Sequence, residues 1–223
     1  MRTAFKICFC GQDLILDASG AIYWPSKKLL IIADLHFEKG NAFARQGHLI
    51  PPLDTKITIE KLAKLFAHYQ PEAILSLGDS FHDTRIFNFI APDIRQYLTS
   101  LSQQFHWIWI SGNHDPFLPD NLNGEIVTQK KIQTLTFCHE PQKNGEKGQV
   151  SGHLHPAKRI KRYGASIRGF CFATDFSRLI LPALGAYAGG LDLEHRAFNG
   201  LFDVKKLVAF LLHQGEIFPI KPQ

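Results

Sequence analysis

Apolar residues in this chain gather into short β-branched or aromatic runs, and several of those runs close on a polar cluster. Residues 29–33, 73–77, 107–111, 135–138 and 149–152 are predicted as strands on that composition. Asp34-Leu35-His36 follows the first run, Gly78-Asp79 the second and Gly112-Asn113-His114-Asp115 the third. His139-Glu140 follows the fourth, and the fifth runs into Gly152-His153-Leu154-His155. Between the first two runs Ile57, Ile59, Leu62, Leu65 and Phe66 recur at helical spacing, with Asp54 as the expected cap. Residues 92–103, with Ile94, Tyr97, Leu98 and Leu101 on one stripe, predict a second helix. The front half is therefore β-α-β-α-β. In such sheets the loops beyond the carboxyl ends of the strands converge, so separate clusters can meet at one point.

Past Gly124 the helical periodicity fades, and short alternating segments between Gly or charged turns imply a second sheet. Val208 to Leu212, a Gln214-Gly215 turn and Glu216-Ile217-Phe218 predict a hairpin that completes it. Residues 143–148 are too short to join domains, and no repeat or low-complexity run divides the chain. The expectation is one domain over residues 1–223, with two sheets flanked by helices.

At 223 residues and 45% hydrophobic, the chain is long enough for one large core. No apolar run approaches membrane-spanning length, and the first residues lack the apolar core of a signal peptide, so a cytoplasmic enzyme is expected. Four cysteines, Cys8, Cys10, Cys138 and Cys171, are too few and too oddly spaced for a disulfide framework or a paired zinc site. A formal charge of +5 is only a mild pointer to a polyanionic partner.

The clusters carry the chemistry. They combine carboxylate, amide and imidazole donors without a thiolate, the mixture that hard-to-borderline divalent cations take. Asp34 and His36 can reach one side of the sheet edge and hold one ion, with His155 turning back to it. Asp79 can bridge two ions through its two oxygens, and Asn113, His139 and His153 suit the second. One Asp after a strand is usually a turn former and one His a satisfied polar residue, but five such coincidences at five strand ends are not credible. Two divalent ions offset by Asp34, Asp79 and a hydroxide leave a net positive field of about +1, which suits a phosphate. Such a pair, about 3.5–4 Å apart, lowers the pKa of shared water and aims it at phosphorus.

His114 is the candidate proton donor to the leaving oxygen, with Asp115 expected to hold its imidazole, against the alternative that Asp115 only shapes the turn before Pro116. His82 lies close enough in sequence to Asp79 to serve as a supporting or substrate-handling residue, or to be a loop histidine. Lys158, Arg159, Lys161 and Arg162 form a basic run just after His155 that suits a nucleic-acid backbone, against the alternative of a strand edge protected by charge. Phe37, Phe81 and Phe117 adjoin the clusters and are either base-stacking or core residues.

The order Asp34-x-His36, Gly78-Asp79, Gly112-Asn113-His114-Asp115, His139 and Gly152-His153-x-His155 resembles the calcineurin-like metallophosphoesterases. That resemblance implies a four-layer α/β/β/α sandwich and two metal ions. It assigns Asp34, His36, Asp79 and His155 to the first ion, and Asp79, Asn113, His139 and His153 to the second. His139-Glu140-Pro141, Gly152-His153-Leu154-His155-Pro156 and Leu181-Pro182-Ala183-Leu184-Gly185-Ala186-Tyr187 are further similar to a smaller group, the ligase-associated DNA damage response endonucleases of the PdeM family. That group implies a manganese-dependent phosphodiesterase cutting DNA, chiefly single-stranded, in bacterial repair. No appended DNA-binding or capping domain is evident, so a repair helicase or ligase system is the expected partner that delivers substrate. His82 also echoes the Gly-Asp-x-Phe-His pattern of Mre11-type nucleases, whereas Ser80 stands where a larger apolar residue is usual. The donor set itself accepts manganese, iron or zinc. A phosphatase or phosphodiesterase acting on a nucleotide or other small molecule is the alternative on the same scaffold.

Overall fold

A computed structural model describes residues 3–45, 47, 51, 53–82, 90, 92–118, 122–162 and 164–222. The first sheet has seven strands in chain order: β1 (Ala4–Phe9), β2 (Gln12–Asp17), β3 (Ile22–Trp24), β4 (Leu29–Ile32), β5 (Ala73–Ser76), β6 (His106–Ile110) and β7 (Glu125–Val127). The first three form an antiparallel meander onto β4, and β4 to β7 run parallel. Helices α1 (Lys39–Arg45), α2 (Asp54–Tyr69) and α3 (Pro92–Gln104) occupy the crossovers, so the predicted β-α-β-α-β front half is present. The meander ahead of it carries strands that the pattern of runs ending in ligand clusters did not single out.

The second sheet contains β8 (Gln129–Ile132), β9 (Leu135–Cys138), β10 (Gln149–Ser151), β11 (Pro156–Arg162), β12 (Ala165–Thr174), β13 (Arg178–Ile180), β14 (Leu191–Asp192), β15 (Val208–His213) and β16 (Glu216–Ile220). Its spatial order is β14-β11-β12-β13-β10-β9-β8, with the β15/β16 hairpin joined to β12. The expected hairpin turn is there, with Gln214 at φ 49° and Gly215 at φ 75°, the two left-handed residues that a tight hairpin favours.

Strand alternation sorts the apolar side chains into three layers of core. Ile31 and Phe172 face each other's sheet, among Phe9, Leu16, Trp24, Phe137 and Phe210. Leu30 and Ile32 turn the other way, onto Leu62 and Leu65 of α2 and Leu98 of α3. On the far side of the second sheet Cys171 and Ala173 pack with Phe198 and Leu201. The sandwich is as expected, but among the described residues its outermost layer beyond the second sheet is a 3-10 turn at Arg196–Phe198 and loops rather than an α-helix.

Asp54 does not cap α2. Leu53 occupies that position without a side-chain hydrogen bond. Asp54 sits in the first turn and accepts the Gly40 N–H of α1 at 3.1 Å, so its carboxylate joins two helices behind the site.

Candidate metal centre

The ligand clusters turn sharply as they leave their strands. Asp34, His36, Asp79, His153 and His155 all hold left-handed backbone, with φ between 43° and 67°. This conformation is costly for residues with a Cβ and persists only where surrounding bonds enforce it. Those bonds are present. His36 N–H donates to Asp79 O at 2.9 Å and Phe37 N–H to Ser80 O at 2.9 Å, zipping the first loop to the second. Gly112 lies so close to the Asp79 carboxylate and backbone nitrogen that a Cβ there would collide with both.

The buried Asp115 ties the second loop to the third. Its Oδ1 accepts the N–H groups of Asp79 and Gly112, and its Oδ2 those of Ser80 and Phe81, at 2.7–3.1 Å. The expectation that Asp115 holds the His114 imidazole is corrected by this geometry: both carboxylate oxygens are committed to loop amides. His114 instead donates from Nδ1 to the carbonyl oxygen of His82 at 3.1 Å.

Two donor groups converge at the strand ends: Asp34, His36 and His155 in one, Asp79, His139 and His153 in the other. They adjoin, because Asp34 Oδ1 lies 3.3 Å from His155 Nε2 and 3.9 Å from His139 Nδ1. In the first group the Nε2 atoms of His36 and His155 are 3.3 Å apart. His155 has its Nδ1–H on Gly189 O at 2.8 Å, which leaves Nε2 as a lone pair. The Nδ1 of His36 is buried and has no hydrogen-bond partner among the described residues. In the second group His139 gives its Nδ1–H to Leu77 O at 2.8 Å. In the neutral ring its Nε2 is then a lone pair facing Asn113 Oδ1 at 2.9 Å, His153 Nδ1 at 3.1 Å and Asp79 Oδ2 at 3.4 Å. Acceptors crowded against acceptors need a cation between them. Divalent metal ions fit this donor set, and carbonyl-anchored imidazoles are how histidine ligands are usually oriented.

The electrostatics agree. Burial, helped by the charges of His155 and Lys39, pushes the His36 pKa down to about 2, so the ring is neutral and ready to bind. For His139 burial opposes the charge, but the Asp79 hydrogen bond and the Asp34 and Asp79 carboxylates outweigh it, and the metal-free imidazole is raised to about 9. Desolvation raises Asp79, yet His139 and the His114 N–H carry it down to about 2. Without metal, the centre holds a proton where a cation belongs.

Around the rim, His82 and His114 stack with centroids 5.0 Å apart, and each ring meets His36 edge-on at 5.8 and 5.3 Å. His114 and Asn113 are exposed. Lys39, which no sequence pattern marked, is half-buried at the start of α1; its charge adds to the lowering of the His36 pKa and opposes the net rise that Asp34 gives His155 against burial. Among the described residues it makes no ion pair, and its ammonium sits 5.9 Å from the Phe43 ring centroid. The only signal for Lys39 was its place one turn beyond His36.

The basic run is not one surface. Lys158 is buried, and its ammonium pairs with Glu194 at 2.5 Å and Asp192 at 3.9 Å, so it is unavailable to a nucleic-acid backbone. Arg159 and Lys161 point to the opposite face of β11 and are exposed. The Arg162 side chain lies outside the described residues. Phe37 and Phe81 are core, whereas Phe117 is 81% exposed.

A two-sheet α/β sandwich with adjoining carboxylate–imidazole donor groups at its strand ends defines a metal-dependent hydrolase of phosphoesters. The profile of the calcineurin-like phosphoesterases matches residues 27–179, and the chain belongs to that family. Among solved structures it is similar to a Pseudomonas putida nuclease, MPE, at 26% identity and a TM-score of 0.77, over 97% of this chain and 100% of that one. The E. coli phosphoesterase Yfce matches at 14% identity and a TM-score of 0.41, over 87% of this chain and 99% of that one. No curated protein matches the chain. No helix among the described residues is long and apolar enough to cross a membrane.

Proposed function

We propose that this chain is a manganese-dependent phosphodiesterase that cuts DNA internally, chiefly single-stranded DNA, in bacterial repair. The observation that carries the proposal is the full-length likeness to a nuclease, joined to two adjoining donor groups that could each hold a metal ion. Asp34, His36, Asp79, Asn113, His139, His153 and His155 would hold a divalent pair, which when bound would supply charge neutralisation and an acidified water. The protein does the rest. The exposed His114, its Nδ1–H fixed on the His82 carbonyl, leaves Nε2, which in the imidazolium form gives its proton to the leaving oxygen and returns the ring to neutral. His82 stacks behind it and steadies its orientation. Lys39 adds a cation on the His36–His155 side for a non-bridging phosphate oxygen.

Manganese is favoured over iron and zinc by the PdeM resemblance, as is the repair role; a helicase or ligase system delivers the substrate. Circular single-stranded DNA is the discriminating substrate, because exonucleases cannot open it. Linearisation by the manganese-loaded protein is expected. Intact circles together with rapid hydrolysis of a nitrophenyl monoester would instead establish the small-molecule phosphatase.

A further inference from the structure

We infer that the groove on the Asn113–His139 side of the centre is a nucleobase subsite, which seats the base next to the phosphodiester under attack. The inference deepens the phosphodiesterase reading above and rests on it. The groove has a volume of about 470 Å³ and opens directly from Asn113 and His139. It lies where the chain crosses from one sheet to the other: β7 ends at Val127, β8 begins at Gln129, and Thr128 is the residue between them. Its walls are anchored. Ser111 N–H donates to Val127 O at 3.0 Å, and Gln129 sits opposite Cys138 in the β8/β9 register. The Gln142 main chain is held at both ends, its N–H on Gln149 Oε1 at 2.8 Å and its carbonyl under Arg178 Nε at 3.2 Å.

From these fixed stems Thr128, Gln129 and Gln142 present side chains that are exposed and make no hydrogen bond among the described residues. Glu140 is the acid of the lining, and no lysine or arginine belongs to it. A phosphate is repelled there. A base edge, neutral and carrying both donors and acceptors, suits such a surface: carboxamides pair with adenine, and a carboxylate accepts from an exocyclic amino group. The cation Lys39 acts on the opposite ligands, His36 and His155. The site is thus polar and mildly acidic on one flank and cationic on the other, as a nucleotide lying across it requires.

Deoxyadenosine 5′-(p-nitrophenyl phosphate) and methyl p-nitrophenyl phosphate present the same scissile diester with and without a base. The manganese-loaded protein is expected to favour the first in kcat/KM. The double variant Gln129→Ala, Gln142→Ala should reduce that preference by roughly tenfold or more. The same variant should bind deoxyadenosine 5′-monophosphate more weakly in calorimetry, with metal content and melting temperature retained. An unchanged preference and unchanged nucleotide binding in that variant would overturn the subsite. If the preference collapses as expected while circular DNA stays intact, the subsite stands and the DNA reading fails. If DNA is cut and the preference does not move, the reverse holds.

Discussion

The two sheets contribute different chemistry to one centre. Loops of the first supply both carboxylates, Asp34 and Asp79, with His36 and the Asn113 amide, and they are held by backbone bonds and the Asp115 carboxylate. Loops of the second supply imidazoles alone, His139, His153 and His155, and these are held mainly through their own rings or by the first sheet. His139 hangs from Leu77 O, and His153 N–H binds Asp34. Neither sheet completes a donor group without the other. The first half brings charge that neutralises a dication, whereas the second brings nitrogen atoms whose availability depends on protonation.

The largest expected effect comes from breaking the charged half. Asp79→Asn removes the charge that faces His139 and should reduce metal content and activity together, by about three orders of magnitude or more in rate, roughly 4 kcal/mol. Metal analysis beside kinetics checks this, and a variant with full metal and near-native rate would exclude Asp79 as a ligand. His114→Ala should separate the two readouts: metal stays, and the rate falls about 10²–10⁴-fold. Equal metal loss in both variants would remove the distinction between ligand and proton donor.

Asp115→Asn tests the brace under the first-sheet loops. Either orientation of the amide leaves two of the four N–H donors facing an NH₂ group, at about 1–3 kcal/mol each. The expected result is a lower melting temperature and a loosened metal centre. A melting temperature equal to that of the native protein would show that the loops stand without the brace.

The second half is the pH-sensitive one. His139, raised to about 9 without metal, stabilises the metal-free fold fully below its unfolded pKa near 6.5, and that contribution is lost as the pH rises through 9. Metal binding needs the neutral ring, so metal affinity must move the opposite way and strengthen over the same range. Melting of metal-free and metal-loaded protein between pH 6.5 and 9 should therefore diverge, with protons released on titration with manganese. Parallel curves and no proton release would place His139 outside the first coordination shell.

Much of this division is legible in the sequence because each ligand sits at the end of an apolar run, and a parallel sheet brings such ends together whatever lies between them. Asp115 is harder to place. A carboxylate after Asn-His can serve the imidazole or the turn, and only the position of the neighbouring loop amides decides. Lys39 carries no local pattern at all, since its role comes from where α1 starts. The basic run misleads for a different reason. Adjacent residues on a strand face opposite ways. Charges that look contiguous in sequence are split by β11 into one buried pair-former, Lys158, and two exposed cations, Arg159 and Lys161.

That split yields the smallest effect and a sharp one. Two phosphate contacts by Arg159 and Lys161 to a single strand would contribute about 1.4 to the slope of log affinity against log salt, at about 0.7 per contact. Arg159→Ala with Lys161→Ala should flatten the slope by that amount and leave melting unchanged. Lys158→Met should do the reverse, because its ammonium is spent on Glu194 and Asp192: the slope stays, and melting falls slightly as the partly buried Asp192 loses its cation while the exposed Glu194 returns to water. A slope that flattens on Lys158→Met and not on the double variant would mean that DNA lies along the Glu194 edge of β11, and the exposed face would be a solvated strand edge only.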